Sequence, residues 1–203
     1  MTGTADEGNK LVLVTGGARS GKSGFAERLF MKRILDGGIY VATAEAHDDE
    51  MRERIRRHQS DREQSGYGWK TVNEPFQLPE WLAITSADAE AAYEGPAVLI
   101  DCLTLWLSNE LLQAERQWGE SLEAERYLEA RIERLAEEAG RFRGTLVMVT
   151  NEVGDSIVPV YKLGRMFRDA AGRLNQRIAG KADEVYLVTA GIPIELKSRE
   201  VQL

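Results

Sequence analysis

The chain has 203 residues, 43% hydrophobic and 29% charged, with a formal net charge of −7. That is enough chain for one domain with a large core, and the acidic balance excludes an extended nucleic-acid surface, which would carry a basic stripe. One cysteine, Cys102, rules out an internal disulfide, and no apolar run approaches a membrane span, so a cytoplasmic protein is expected.

Residues 1–10 are polar and acidic and read as a disordered tail, with a single domain over 11–203. Short apolar runs then alternate with helical patterns. Leu11–Thr15 is a predicted strand and Ser23–Leu35 a helix, stopped by Asp36-Gly37-Gly38. Ile39–Thr43 is a strand, Asp48–Arg62 a charged helix and Trp69–Val72 a short strand, and Leu78–Ala83 opens a helix. Ala97–Asp101 is a strand, followed by helices over Thr104–Glu115 and Ser121–Glu138. Thr145–Thr150 is a strand, Val160–Ala179 a long helix, and Glu184–Thr189 and Ile192–Leu196 two closing strands. Such alternation predicts an α/β fold with a mostly parallel sheet and helices on both faces. The last two strands are two residues apart, which predicts an antiparallel hairpin at the sheet edge.

Between the first strand and helix stands Gly16-Gly17-Ala18-Arg19-Ser20-Gly21-Lys22-Ser23, which fits G-x-x-x-x-G-K-[ST]. In that context the glycines let successive N–H groups turn inward on a phosphate, and the new helix adds its positive dipole end. Lys22 would reach the outer phosphates and the Ser23 hydroxyl would hold Mg²⁺.

Other chemistry is less specific from spacing alone. Asp101 ends an apolar strand at the edge where open α/β sheets bind ligands. It reads as a second Mg²⁺ group or as a cap for the helix near Thr104. Met51, Ile55, His58 and Arg62 share one face of their helix. His58 there is a structural imidazole, or a base or nucleophile toward phosphorus. His47 reads as a cap or surface residue. Thr150-Asn151-Glu152-Val153-Gly154 is either a turn or a substrate contact. Arg165, Arg168, Arg173 and Arg177 recur along the last helix, where a solvated face is expected.

Taken in order, these segments are specific. The chain resembles the bifunctional adenosylcobinamide kinase / adenosylcobinamide-phosphate guanylyltransferase family. Val14–Ser23, Tyr40–Ala44, Asp48–Met51, Arg54, Ile55 and His58 carry the likeness. So do Thr150–Gly154, Ile157–Pro159, Phe167–Arg177, Ala182–Val188 and Gly191–Pro193. The resemblance implies a RecA-like phosphate-loop NTPase fold. A nucleoside triphosphate, ATP or GTP, would phosphorylate adenosylcobinamide. GTP would then give GMP to an enzyme histidine, which passes it to adenosylcobinamide phosphate. His58 aligns with that histidine, and Arg57 stands where some members have a second one. Nucleotide contacts carry over to Thr15, Gly16, Gly17, Ala18, Arg19, Ser20, Gly21, Lys22 and Ser23, to Ala42, Thr43 and Ala44, to Gln59, Ser60, Asp61 and Arg62, and to Glu74 and Asp101. The family also implies a homo-oligomer, a trimer. A single-activity phosphate-loop kinase and a RecA-like nucleotide-switch module are the competing readings.

Overall fold

The computed structural model describes residues 9–45, 49–88 and 95–201, without the side chains of Glu50, Met51, Arg54, His58 and Asp61. Most of the predicted tail, and His47, lie outside the described residues. The elements are β1 (Lys10–Thr15), α1 (Lys22–Arg33), β2 (Gly38–Ala42), α2 (Asp49–Gln64), β3 (Trp69–Asn73), α3 (Leu78–Asp88) and β4 (Ala97–Asp101). Then come α4 (Leu103–Trp118), α5 (Leu122–Arg141), β5 (Thr145–Val149), α6 (Lys162–Lys181), β6 (Glu184–Thr189) and β7 (Ile192–Glu195).

All the predicted strands form, in one sheet of order β3-β2-β4-β5-β1-β6-β7. Every pairing is parallel except β6 with β7, the expected edge hairpin. β1 shows why the sheet needs cover on both faces. Leu11 and Leu13 pack with α3, α4, α5 and α6, while Val12 and Val14 pack with Ala26 and Phe30 of α1. A strand alternates its side chains between faces, so a run apolar at every position fits a central, doubly covered place.

Most element boundaries shift by one to three residues from the sequence expectation, and for two of them the structure shows why. β1 begins at Lys10, which pairs with Thr145, and the Asn9 side chain accepts from the Gly144 N–H. α6 begins at Lys162, not Val160. The Arg165 guanidinium donates to the carbonyls of Pro159 and Val160, which holds the preceding backbone out of the helix. Ser121, expected as the first helical residue, instead caps α5: its Oγ accepts from Ala124 N at 3.3 Å.

The expected solvated face of α6 is corrected by the packing of α5 against it. Arg173 donates to Glu129 at 2.9 Å, and Arg177 reaches both Glu129 and Glu133. Charges that alternate at helical spacing on two helices become an interhelical ladder once the helices lie side by side.

The feature that positions the site is a row at the carboxyl edge. Ala42 pairs with Asp101, Asp101 with Val149, and Val149 with Val14. Four parallel strands thus end at one level, and the loops that follow them open on the same side.

Candidate functional site

The phosphate loop leaves β1 at that edge. Gly16 has φ 157°, and a Cβ there would come within 2.4 Å of the Val188 carbonyl oxygen. Gly21 caps α1 in the left-handed region at φ 92°, and a Cβ there would sit 3.3 Å from Gly191 Cα. The loop therefore rests directly on the β6–β7 turn, and Gly191 N donates to Ser20 O at 2.8 Å. Glycine is required where backbones approach this closely. α1 has no side-chain cap and no acid in its first turn. Its leading N–H groups and dipole are thus left to an anion.

Lys22 is 8% exposed and donates from Nζ to the Gly17 carbonyl at 3.1 Å. Two hydroxyls, Thr15 Oγ1 at the end of β1 and Ser20 Oγ in the loop, are buried and have no hydrogen-bond partner among the described residues. Buried polar atoms without partners are rare in folded proteins and mark places where a ligand completes the bonding.

Lys22 and Ser23 line a cleft of about 130 Å³ that is open to solvent. Ala42, Ala44, Arg62 and Asp101 complete its predicted part, so residues from α1, β2, α2 and β4 converge on it. The sequence reading assigns no site role to Tyr40, Ile55, Cys102 or Leu105, yet all four line the cleft. Asn151, one of two readings for its loop, lines it too. Its backbone is held from behind. Asn151 N donates to Thr104 Oγ1 at 2.7 Å, and Asn175 Nδ2 donates to Asn151 O at 3.1 Å.

Asp101 accepts a hydrogen bond from the Tyr40 hydroxyl at 3.1 Å through Oδ2. Burial first, then the Asp101 charge, pushes the Tyr40 phenol well above its usual value, so the phenol stays a donor. Arg62 is 5% exposed, with its guanidinium carbon 3.7 Å from the Tyr40 ring centroid. Arg62 Nε is buried and has no hydrogen-bond partner among the described residues. Burial and the Asp101 charge push the Cys102 thiol up to about 12, so it is a neutral lining group and no nucleophile.

Other predicted positions play different parts. Thr43 is fully buried, and its hydroxyl donates to Cys102 O at 2.7 Å and accepts from Cys102 N at 2.9 Å. It stitches the end of β2 to the end of β4. Glu74 accepts from Phe76 N and Gln77 N through Oε1, which turns the chain into α3. Ser60 Oγ accepts from Gln64 within α2. Gly17, Ala18 and Arg19 are exposed on the outside of the loop, and Gln59 is half-buried. His58 is placed by the α2 backbone three residues after Ile55 and four before Arg62, both of them cleft residues. The Asp61 side chain, like that of His58, lies outside the described residues.

Among the described residues no group of three or more His, Cys, Asp or Glu is arranged to hold a metal ion. Mg²⁺ at a triphosphate site keeps waters and substrate oxygens and needs only one or two protein oxygen groups. Ser23 and Asp101, one hydroxyl and one carboxylate, both line the cleft.

Comparison with known proteins identifies relatives along nearly the whole chain. A family model described as cobinamide kinase / cobinamide phosphate guanyltransferase matches residues 12–196. A bifunctional adenosylcobalamin biosynthesis protein CobP of Pseudomonas aeruginosa is 43% identical over 185 residues, covering 91% of this chain and 96% of the relative. The corresponding CobU proteins of Salmonella typhimurium and Escherichia coli are 38% and 39% identical, covering 92% of this chain and 99% of each relative. Among solved structures, a KaiC-like protein of Pyrococcus horikoshii aligns over 89% of this chain and 70% of its own, at 16% identity and TM-score 0.40. No helix of the described residues is long and apolar enough to cross a membrane.

Proposed function

The chain belongs to the cobinamide kinase / cobinamide phosphate guanylyltransferase family, bifunctional enzymes of adenosylcobalamin biosynthesis, and we propose that both of its reactions use the one cleft at the carboxyl edge. The observation that carries this is the convergence of Lys22, Ser23, Arg62 and Asp101 on that cleft from separate elements.

In the kinase reaction, the hydroxyl oxygen of adenosylcobinamide attacks the γ-phosphorus of ATP or GTP. The bond to the β–γ bridging oxygen breaks, the nucleoside diphosphate leaves, and the hydroxyl proton passes to solvent or a base. Lys22 and the first-turn N–H groups of α1 hold the outer phosphates and stabilise the charge moving onto the leaving oxygen. Bound Mg²⁺ would offset phosphate charge, with Ser23 and Asp101 as its protein groups.

In the transferase reaction, a neutral imidazole nitrogen of His58 attacks the α-phosphorus of GTP. The bond to the α–β bridging oxygen breaks and pyrophosphate leaves. A phosphate oxygen of adenosylcobinamide phosphate then attacks the same phosphorus. The N–P bond breaks, imidazole is restored, and adenosylcobinamide-GDP forms. Arg62, one turn along α2 from His58, brings the guanidinium that the α-phosphate needs. Protonation of His58 removes the attacking lone pair, so transfer requires the neutral imidazole.

Exposed apolar side chains at Ile157, Val160 and Tyr161, and at Ile192 on the edge strand, support a homo-oligomer, which the family reading makes a trimer in the cytoplasm. The test of the covalent reading is intact mass after incubation with GTP and Mg²⁺. One GMP is added, through a bond labile to acid and stable to base. His58→Asn abolishes the adduct and the transferase reaction and keeps measurable kinase activity, while His47→Asn keeps the adduct. An adduct mapped to another residue defeats the assignment.

A further inference from the structure

Tyr40 sits among the cleft's charged groups, yet the phosphate-loop motif gives it no task. It is 3% exposed, and its two ends do different things. At the tip, the hydroxyl donates to Asp101 Oδ2 over 3.1 Å. Among the described residues Asp101 Oδ1 makes no hydrogen bond, so one carboxylate oxygen is held and the other is open. On the ring face, the Arg62 guanidinium carbon is 3.7 Å from the centroid, with Nε buried and without a partner among the described residues. A guanidinium on an aromatic face keeps its N–H donors for an anion, because the ring contact uses none of them in strong hydrogen bonds. The ring is itself fixed. Trp69 meets it edge-on with centroids 5.8 Å apart, and β2 is paired on both sides, with β3 and β4.

We propose that Tyr40 is a positioning residue of the nucleotide site. Its hydroxyl fixes the Asp101 carboxylate so that Oδ1 is left for a divalent cation, and its ring holds the Arg62 guanidinium with its N–H edge available to a nucleotide phosphate. The proposal rests on the reading of Asp101 and Arg62 given above. A tyrosine that only filled space would be replaced by phenylalanine without consequence. A positioning tyrosine needs the hydroxyl and the ring for separate tasks, and the two can be removed one at a time.

The experiment measures the initial rate of GMP–protein adduct formation against Mg²⁺ and against GTP on the full chain. Wild type, Tyr40→Phe, Tyr40→Met, Asp101→Asn and the Tyr40→Phe/Asp101→Asn double variant are compared. Tyr40→Phe raises the half-maximal Mg²⁺ concentration about 10-fold and leaves the KM for GTP at saturating Mg²⁺ within about twofold, the scale on which a partner behind a metal ligand acts. Tyr40→Met, which nearly fills the volume without a π face, adds a rise of about 10-fold in KM for GTP, the effect of losing about 1.4 kcal/mol. In the Asp101→Asn background, Tyr40→Phe shifts the Mg²⁺ dependence no further. A wild-type Mg²⁺ dependence in Tyr40→Phe, alongside a shifted one in Asp101→Asn, overturns the hydroxyl's role. A KM in Tyr40→Met equal to that of Tyr40→Phe overturns the ring's role. If Asp101→Asn itself leaves the Mg²⁺ dependence unchanged, the reading of Asp101 as a metal group fails and the hydroxyl's role falls with it. Thermal melts check folding, and Tyr40→Phe, which keeps the ring, decides the hydroxyl question even where the methionine variant does not fold.

Discussion

Two sets of charged side chains lie inside this protein, and they are finished in opposite ways. Between α3, α4 and α5, Arg131 donates to Glu80 at 2.7 Å, to Glu110 at 2.9 Å and to the Phe76 carbonyl at 2.8 Å. Glu110 is 1% exposed and also accepts from the Tyr127 hydroxyl at 2.6 Å. Burial works against the charged Arg131, but the hydrogen bonds to Glu80 and Glu110 prevail and hold its pKa above the ordinary value. In the cleft, Arg62 rests on a ring, and its Nε, like the buried Thr15 and Ser20 hydroxyls at the phosphate loop, has no partner among the described residues. The first set is closed and stabilises the fold. The second has bonding capacity left over, which a phosphate can use. Burial of charge alone does not mark a site; incomplete satisfaction of that charge does.

The comparison is broken most severely at Arg131. Arg131→Met leaves Glu110 buried and unpaired, and is expected to lower stability by about 3–5 kcal/mol in urea denaturation. The rate per folded molecule should not change, and a loss of kcat without a loss of stability would place this cluster in the site. Lys22→Ala is the mirror case. Both the kinase and the transferase rates should fall about 10²–10³-fold, since each uses a triphosphate, while the denaturation midpoint stays close to wild type. Wild-type rates for either reaction would end the shared-cleft reading.

A pH experiment sharpens the same contrast. Burial would raise the Glu80 pKa, but the Arg131 hydrogen bonds outweigh it and hold it below its ordinary 4.5. The native state then binds fewer protons than the unfolded chain at that group. Its contribution to stability is complete above about 4.5 and is lost as pH falls through the lower native value. Urea unfolding between pH 6 and pH 3 should show this loss in the wild type and a shallower slope in Arg131→Met. The smallest effect is expected at Ser121, which caps α5 away from both charge sets. Ser121→Ala should cost about 1 kcal/mol and leave both activities intact.

Much of this was legible along the chain. The phosphate loop could be read because its geometry is local. Gly16 and Gly21 take backbone angles or approaches that other residues resist, and Lys22 and Ser23 follow at fixed positions on α1. Helical spacing placed Arg62 with Ile55, and both do line the cleft. Spacing did not reveal that Arg173 and Arg177 of α6 pair with Glu129 and Glu133 of α5, because a helical face is solvated or packed according to what lies against it. Nor did it reveal that the Thr43 hydroxyl is engaged by Cys102, a contact between residues 59 apart in the chain.

The sequence by itself determined the alternation of strands and helices, the parallel sheet with its edge hairpin, the phosphate loop and, through the ordered motifs, the family. Each of these depends on neighbours in the chain: period-two or helical spacing, turn residues, and backbone freedom at glycine. Only the tertiary structure decided the strand order β3-β2-β4-β5-β1-β6-β7 and the row formed by Ala42, Asp101, Val149 and Val14. That row brings Tyr40 of β2 against Asp101 of β4, 61 residues away, and α2 lays Arg62 on the Tyr40 ring. Such contacts come from burying two sheet faces at once, and no local pattern encodes which buried strand will lie beside which.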